Sequence, residues 1–177
     1  MKKLLSQYEK RIWKNAKDEK LNYRFRKPKN CDSNKKYPIL FFLHGAGGRG
    51  SNNNDQILDA GSISAFEKQN IFTKHNSYFL AAQVPHNKKW VNVDWSLSEH
   101  TIPKISKTMY LAFELLDDTL IKNNIDINKI YVMGISMGGF GVWDALQRRP
   151  NFFAAGVPIC GGGDVKQSKS ISHIPIW

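Results

Sequence analysis

The sequence predicts an α/β fold, with a mostly parallel central sheet and helices on both faces. Three observations carry this expectation. Short apolar runs recur along the chain, such as YPILFFLHG at 37–45 and KIYVMGIS at 129–136. These runs are apolar at nearly every position, as in strands buried on both faces. Stretches of helical period lie between them, which implies crossover helices joining parallel strands.

The elements follow in chain order. LNYRFRKP (21–28) alternates and is expected as an outer strand. YPILFFLHG is closed by glycine and suits a central strand. SYFLAAQVP (77–85) and KIYVMGIS repeat its character. AAGVPICGGGD (154–164) is expected as a fourth buried strand, and HIPIW (173–177) as the start of a fifth. SISAFEKQN (62–70) reads as a short helix. In SKTMYLAFELLDDTLIKNN (106–124), Met109, Ala112, Phe113, Leu116 and Leu120 share one face at 3.6-residue spacing. MGGFGVWDALQRRP (137–150) reads as a helix stopped by Pro150. No internal repeat or low-complexity linker interrupts this pattern, so residues 1–177 are expected to form a single domain.

Composition narrows the function classes. With 177 residues and 41% hydrophobic content, the chain can bury a core. The net charge of +11 invites a nucleic-acid partner. However, many of the basic residues fall in the first 40, the rest are scattered, and no finger or RNA-binding signature occurs. A solvated basic surface with no specific nucleic-acid partner is expected. Cys31 and Cys160 lie far apart without metal-ligand spacing. Cys160 is expected as a small buried apolar residue. The N-terminus has a basic start, but only Leu4 and Leu5 precede polar residues. No signal peptide and no membrane span is therefore expected, and the reading is cytoplasmic.

One motif carries chemistry. Gly134-Ile135-Ser136-Met137-Gly138 matches G-x-S-x-G. A buried strand ends at Ser136 and an amphipathic helix begins after it. In a nucleophile elbow the serine sits on a strained strand-to-helix turn, so its flanking positions must lack bulk. The helix start then aims N–H dipoles at the developing negative charge. The plain alternative is an idle serine in a glycine-rich turn. LHGAGGRGSNNN (43–54) suits an oxyanion loop, in which the N–H of Ala46 would join that of Met137. His44 then shapes the loop and is not the base. A phosphate-binding loop is disfavoured because the Walker pattern is missing.

HNKKWVNVDWSLSEH (86–100) is a long polar and aromatic connection after a buried strand. Loops at the carboxyl ends of parallel strands build ligand sites. Trp90, Asp94 and Trp95 are candidates for a substrate cleft, with His44 and Gly45 beside them. The tryptophans serve equally well to pin the loop to the body. CGGGD (160–164) faces the same side, and Asp164 is either a cleft carboxylate or a helix cap.

Taken together these motifs resemble the α/β-hydrolase superfamily. They look like the predicted-peptidase and esterase group related to polyhydroxybutyrate depolymerases and feruloyl esterases. The matching segments are YPILFFLHGAGGRGSNN, KKWVNVDWS, IYVMGISMGGFGVWDALQRRPNFFAAGVPICGGGD and IPIW. The resemblance implies an α/β-hydrolase fold lacking its last strands and helices, with no metal or organic cofactor. It also implies Ser136 as the nucleophile that attacks an ester or peptide carbonyl and forms an acyl-enzyme.

The triad order in this superfamily is Ser, then acid, then His. After Ser136 the only histidine is His173, which precedes the last strand. The acid and histidine of the triad are therefore expected beyond Trp177. Asp164 is the best acid present, and His86 and His100 lie on a loop of the active face. The apolar ending ISHIPIW leaves an exposed edge through which the chain would self-associate. An inactive remnant or a non-enzymatic ligand-binding domain is the competing expectation.

Overall fold

The computed structural model describes residues 2–177. Six strands form one sheet: β1 (Glu9–Lys14), β2 (Lys20–Arg26), β3 (Tyr37–Leu43), β4 (Tyr78–Ala82), β5 (Ile125–Ile135) and β6 (Ala155–Ile159). Their order across the sheet is β1-β2-β4-β3-β5-β6. β1 and β2 run antiparallel to their neighbours, while β4, β3, β5 and β6 are mutually parallel. Six helices complete the fold: α1 (Lys2–Leu5), α2 (Asp55–Leu58), α3 (Ser62–Lys68), α4 (Ile71–Lys74), α5 (Lys107–Lys122) and α6 (Met137–Arg148).

The period-two geometry of the strands sorts the core into two layers. Ile39, Phe41 and Leu43 of β3 face α5 and α6, together with Leu80 of β4 and Val132 of β5. Phe42, Phe79, Ala81 and Met133 face the other way, against Ile57, Ile63 and Phe72 of α2, α3 and α4. Strands apolar at successive positions therefore serve two cores at once. In α5, Met109, Ala112, Phe113 and Leu116 are buried as the spacing predicts, and Leu120 is half-buried. Burying each large side chain contributes roughly 2 kcal/mol. The hydroxyl of Ser106 caps α5 by accepting from the Met109 N–H at 3.0 Å, and it donates to the Trp90 carbonyl at 2.6 Å. One side chain thus starts the helix and fastens the loop in front of it.

Four expectations are corrected. Residues 21–28 are not an outer strand, since β2 lies between β1 and β4. The outer strand is β1, whose sequence EKRIWK is too charged to read as one. It is half-exposed on its edge and fixes Trp13 by a hydrogen bond from the indole to Asp118 at 3.1 Å. β6 is half-buried rather than buried, because its outer side meets only one parallel bridge, Gly156 with Ile176. That bridge is also all the pairing HIPIW makes. Cys160 is exposed, and like Cys31 it is a free thiol. It sits just past β6 in a left-handed turn with φ of 57°, which points it out of the core.

Candidate active site

Parallel strands in register end together. Leu43 pairs with Gly134, and Ile135 pairs with Ile159. The chain segments that leave β3, β5 and β6 therefore meet at one edge of the sheet, the edge where α/β folds place their ligands.

Ser136 stands at this edge, between β5 and α6. Its backbone has φ of 55° and ψ of −116°, a conformation an L-residue holds only under constraint. The side chain is exposed and makes no capping bond to the helix. The Ser136 N–H donates to the Ile159 carbonyl at 2.8 Å, which ties the turn to β6. The glycines of the motif are required by contact. A Cβ on Gly134 would sit 2.4 Å from the Gly138 carbonyl oxygen, and one on Gly138 only 1.8 Å from that of Leu43. The first bond of α6 runs from the Phe140 N–H to the Ser136 carbonyl at 3.2 Å. The amides before Phe140, including that of Met137, have no acceptor within the helix. Positive dipole ends thus gather beside an exposed hydroxyl.

The loop after β3 makes a 3-10 turn at Ala46–Gly48. His44 at its root is fully buried. Its Nε2 accepts from the Val84 N–H at 3.0 Å, so the proton sits on Nδ1, which donates to the Gly45 carbonyl at 2.6 Å. Burial pushes the imidazole pKa down to about 4, so the ring is neutral at pH 7. The Trp90 indole donates to the His44 carbonyl at 2.9 Å, and Trp90 is itself fully buried. His44 and Trp90 are therefore supports behind the loop and do not line a cleft. Gly45 is buried and Ala46 half-buried.

The remaining candidates separate. Asp94 is exposed and accepts from the Ser96 N–H at 2.9 Å and its hydroxyl at 2.8 Å, which holds its carboxyl below the usual range. It lines a cavity of about 820 Å³ with Lys88, Lys89 and Lys107, in which no elbow residue takes part. Trp95 is half-exposed, lies under Lys89 at 4.3 Å and reaches Phe140 at 6.4 Å, one turn into α6 from Ser136. Asp164 is a cap. Its buried carboxylate accepts from the Ile102 and Lys166 N–H groups, both at 2.9 Å, and these bonds depress its pKa. The same segment, with Gly161–Gly163, Trp143 and Ile171, borders a cleft of about 300 Å³ beside α6.

The histidines divide as well. The His100 ring lies tilted against that of Phe140, with centroids 5.9 Å apart. His173 bonds the Pro150 carbonyl at 2.9 Å, at the far end of α6 from Ser136. Asp144 of α6 is buried and held by Arg148 at 2.8 Å, so its carboxylate is spent on an ion pair. Among the described residues no group of three His, Cys, Asp or Glu side chains could hold a metal ion. No helix is long and apolar enough to cross a membrane, again among the described residues. Asp59 belongs to no sequence motif, yet a kink after α2 carries it onto the loop after β3.

Comparison with known proteins agrees with this geometry. The prolyl oligopeptidase family matches residues 113–177, the part that runs from α5 through the elbow. Comparison with curated protein sequences finds no match. A thermostable esterase structure is 32% identical with a TM-score of 0.87, over 98% of this chain and 46% of that one. A ferulic acid esterase matches at 20% identity and TM-score 0.61, over 85% of this chain and 58% of that one. Staphylococcus aureus fluorophosphonate-binding serine hydrolase F matches at 17% and 0.60, over 85% and 55%. The chain is an α/β-hydrolase by fold, and its matches fall in the esterase and peptidase branches of that superfamily. It spans about half the length of these structures.

Proposed function

We propose that this chain carries the nucleophile half of a serine hydrolase that cleaves carboxylic esters or peptides. Ser136 attacks the carbonyl carbon, the ester C–O or peptide C–N bond breaks and the alcohol or amine leaves with the serine proton, and water then hydrolyses the acyl-enzyme on Oγ to the free acid. The N–H groups of Ala46 and Met137 stabilise the tetrahedral oxyanion, a contribution of several kcal/mol where such donors have been removed in other enzymes. The observation that carries this reading is the exposed, strained Ser136 at the start of α6.

A second reading, an inactive or ligand-binding protein, is favoured by the histidines. His44 has both nitrogens engaged in the core, and His173 is bonded at the wrong end of α6. A serine without a general base is a weak nucleophile at neutral pH.

A fluorophosphonate probe separates the two, since an activated serine Oγ displaces its fluoride and becomes phosphonylated. Weak labelling of the folded chain that disappears in Ser136→Ala, with circular dichroism unchanged, is the expected result, since oxyanion donors alone give residual activation. Labelling that persists in Ser136→Ala would remove Ser136 from the role. Folded chain that never labels would favour the second reading.

A further inference from the structure

The kink after α2 carries the Asp59 carboxylate onto the loop after β3. Asp59–Gly61 forms a short 3-10 turn whose inner residues are left-handed, with φ of 52° at Ala60 and 67° at Gly61. This turn swings the Asp59 side chain onto the loop after β3. The carboxylate straddles Ala46, one oxygen against each flanking glycine. A Cβ on Gly45 would lie 2.6 Å from Oδ2, and one on Gly47 2.5 Å from Oδ1. The two glycines therefore make room for Asp59. The Gly45 position is also pinched from the opposite strand, 3.3 Å from the carbonyl oxygen of Ile135, the residue before the nucleophile.

The electrostatics are unusual. The amides of Gly45, Gly48 and Ala60 face the carboxylate and favour its charged form, but burial outweighs them and raises its pKa. Oδ2 is fully buried and has no hydrogen-bond partner. A carboxylate oxygen buried without a partner is costly and calls for an explanation in strain or function. Nor does Asp59 take part in an ion pair among the described residues.

We propose that Asp59 is the positioning residue of the oxyanion loop: by clasping Gly45 and Gly47 it fixes the peptide between them, so that the Ala46 N–H is held toward Ser136. This rests on the hydrolase reading above. Asp59 takes no part in bond making. The Gly48 amide closes the loop on itself by donating to the Gly45 carbonyl at 3.2 Å, Asp59 packs against both flanks of Ala46, and the Ala46 amide is left for the substrate oxygen. The charged group that acts on Asp59 is Asp55 on α2, and on the same loop His44 feels Asp55 and Arg49.

The test has two arms. In the first, the wild-type chain is titrated from pH 7 to 4 by NMR, following the Asp59 carboxyl carbon and the amides of Gly45 to Gly48. His44 titrates in the same region, and the Val84 amide, bonded to its Nε2, reports it separately. The Ala46 amide is expected to follow Asp59 and not Val84, and to lose that response in Asp59→Asn. An Ala46 amide that ignores the Asp59 carboxyl signal overturns the proposal, whatever the variants do. In the second arm, fluorophosphonate labelling of Ser136 is expected to slow about 10- to 100-fold in Asp59→Ala, the scale of an ångström-sized misplacement. Labelling equal to wild type in a folded Asp59→Ala overturns Asp59 while keeping Ser136. Wild type that does not label speaks against the hydrolase reading alone, and the first arm then decides the role of Asp59.

Discussion

Ser136 shows what a single residue gives up for exposure. Its left-handed backbone stores strain on the order of 1–3 kcal/mol, and the bond from its N–H to Ile159 holds it there. His44 makes the converse trade: it is buried, neutral and doubly bonded. Its folded pKa of about 4 lies below the ordinary 6.5. Between these values the unfolded chain binds the proton and the folded chain does not. The stability owed to neutral His44 is therefore complete above pH 6.5 and is lost as pH falls toward 4. The loss amounts to ~3 kcal/mol. Asp59 acts in the opposite sense, because its raised pKa favours proton uptake on folding. Urea unfolding at pH 7 and pH 4.5 is expected to show a steep acid loss in wild type and a flatter one in His44→Gln. Parallel slopes in the two proteins would show that His44 does not carry the effect.

At the scale of elements, the elbow is a contact between α6 and the ends of three strands. α6 sits so close to β3 that Gly138 has no room for a methyl group: the Cβ would lie 1.8 Å from the Leu43 carbonyl oxygen. Both partners are backbone, so neither can rotate away. Gly138→Ala is expected to destabilise by about 3 kcal/mol and to lower the melting temperature markedly. A Gly61→Ala control meets no atom within 4 Å and carries only its positive φ, so about 1 kcal/mol is expected there. Similar melting temperatures for the two variants would contradict this account of the packing. The elbow was legible in the sequence because the strand, turn and helix that make it are contiguous. β1 was not, because a half-exposed edge strand tolerates charges that mask its alternation. Cys160 misled for a related reason: its apolar neighbours belong to β6, while its own φ turns it outward.

For the whole molecule, the charge of +11 is a property of the surface. Several cations are already committed to intramolecular pairs, including Arg26 with Glu67, Arg148 with Asp144 and Arg149 with Asp117. Any binding to DNA or another polyanion is expected to lack sequence preference and to fall steeply between 50 and 200 mM salt, by about 10³-fold or more if several phosphates are contacted. Salt-resistant binding to a particular sequence, measured by fluorescence anisotropy, would overturn that view.

Local chemistry was legible along the chain: an apolar strand, a serine between glycines, an amphipathic helix, and a small-residue loop after another buried strand. Each of these depends on neighbours in the chain, and periodicity reports such neighbours directly. The tertiary structure decided what each candidate does. His44 and Trp90 became buried supports, Asp164 became a cap shared between two loops, and His173 went to the far end of α6. Asp59 was brought onto Gly45 and Gly47 by a kink. Burial and long-range contact set these roles, and both depend on which segments the sheet order brings together.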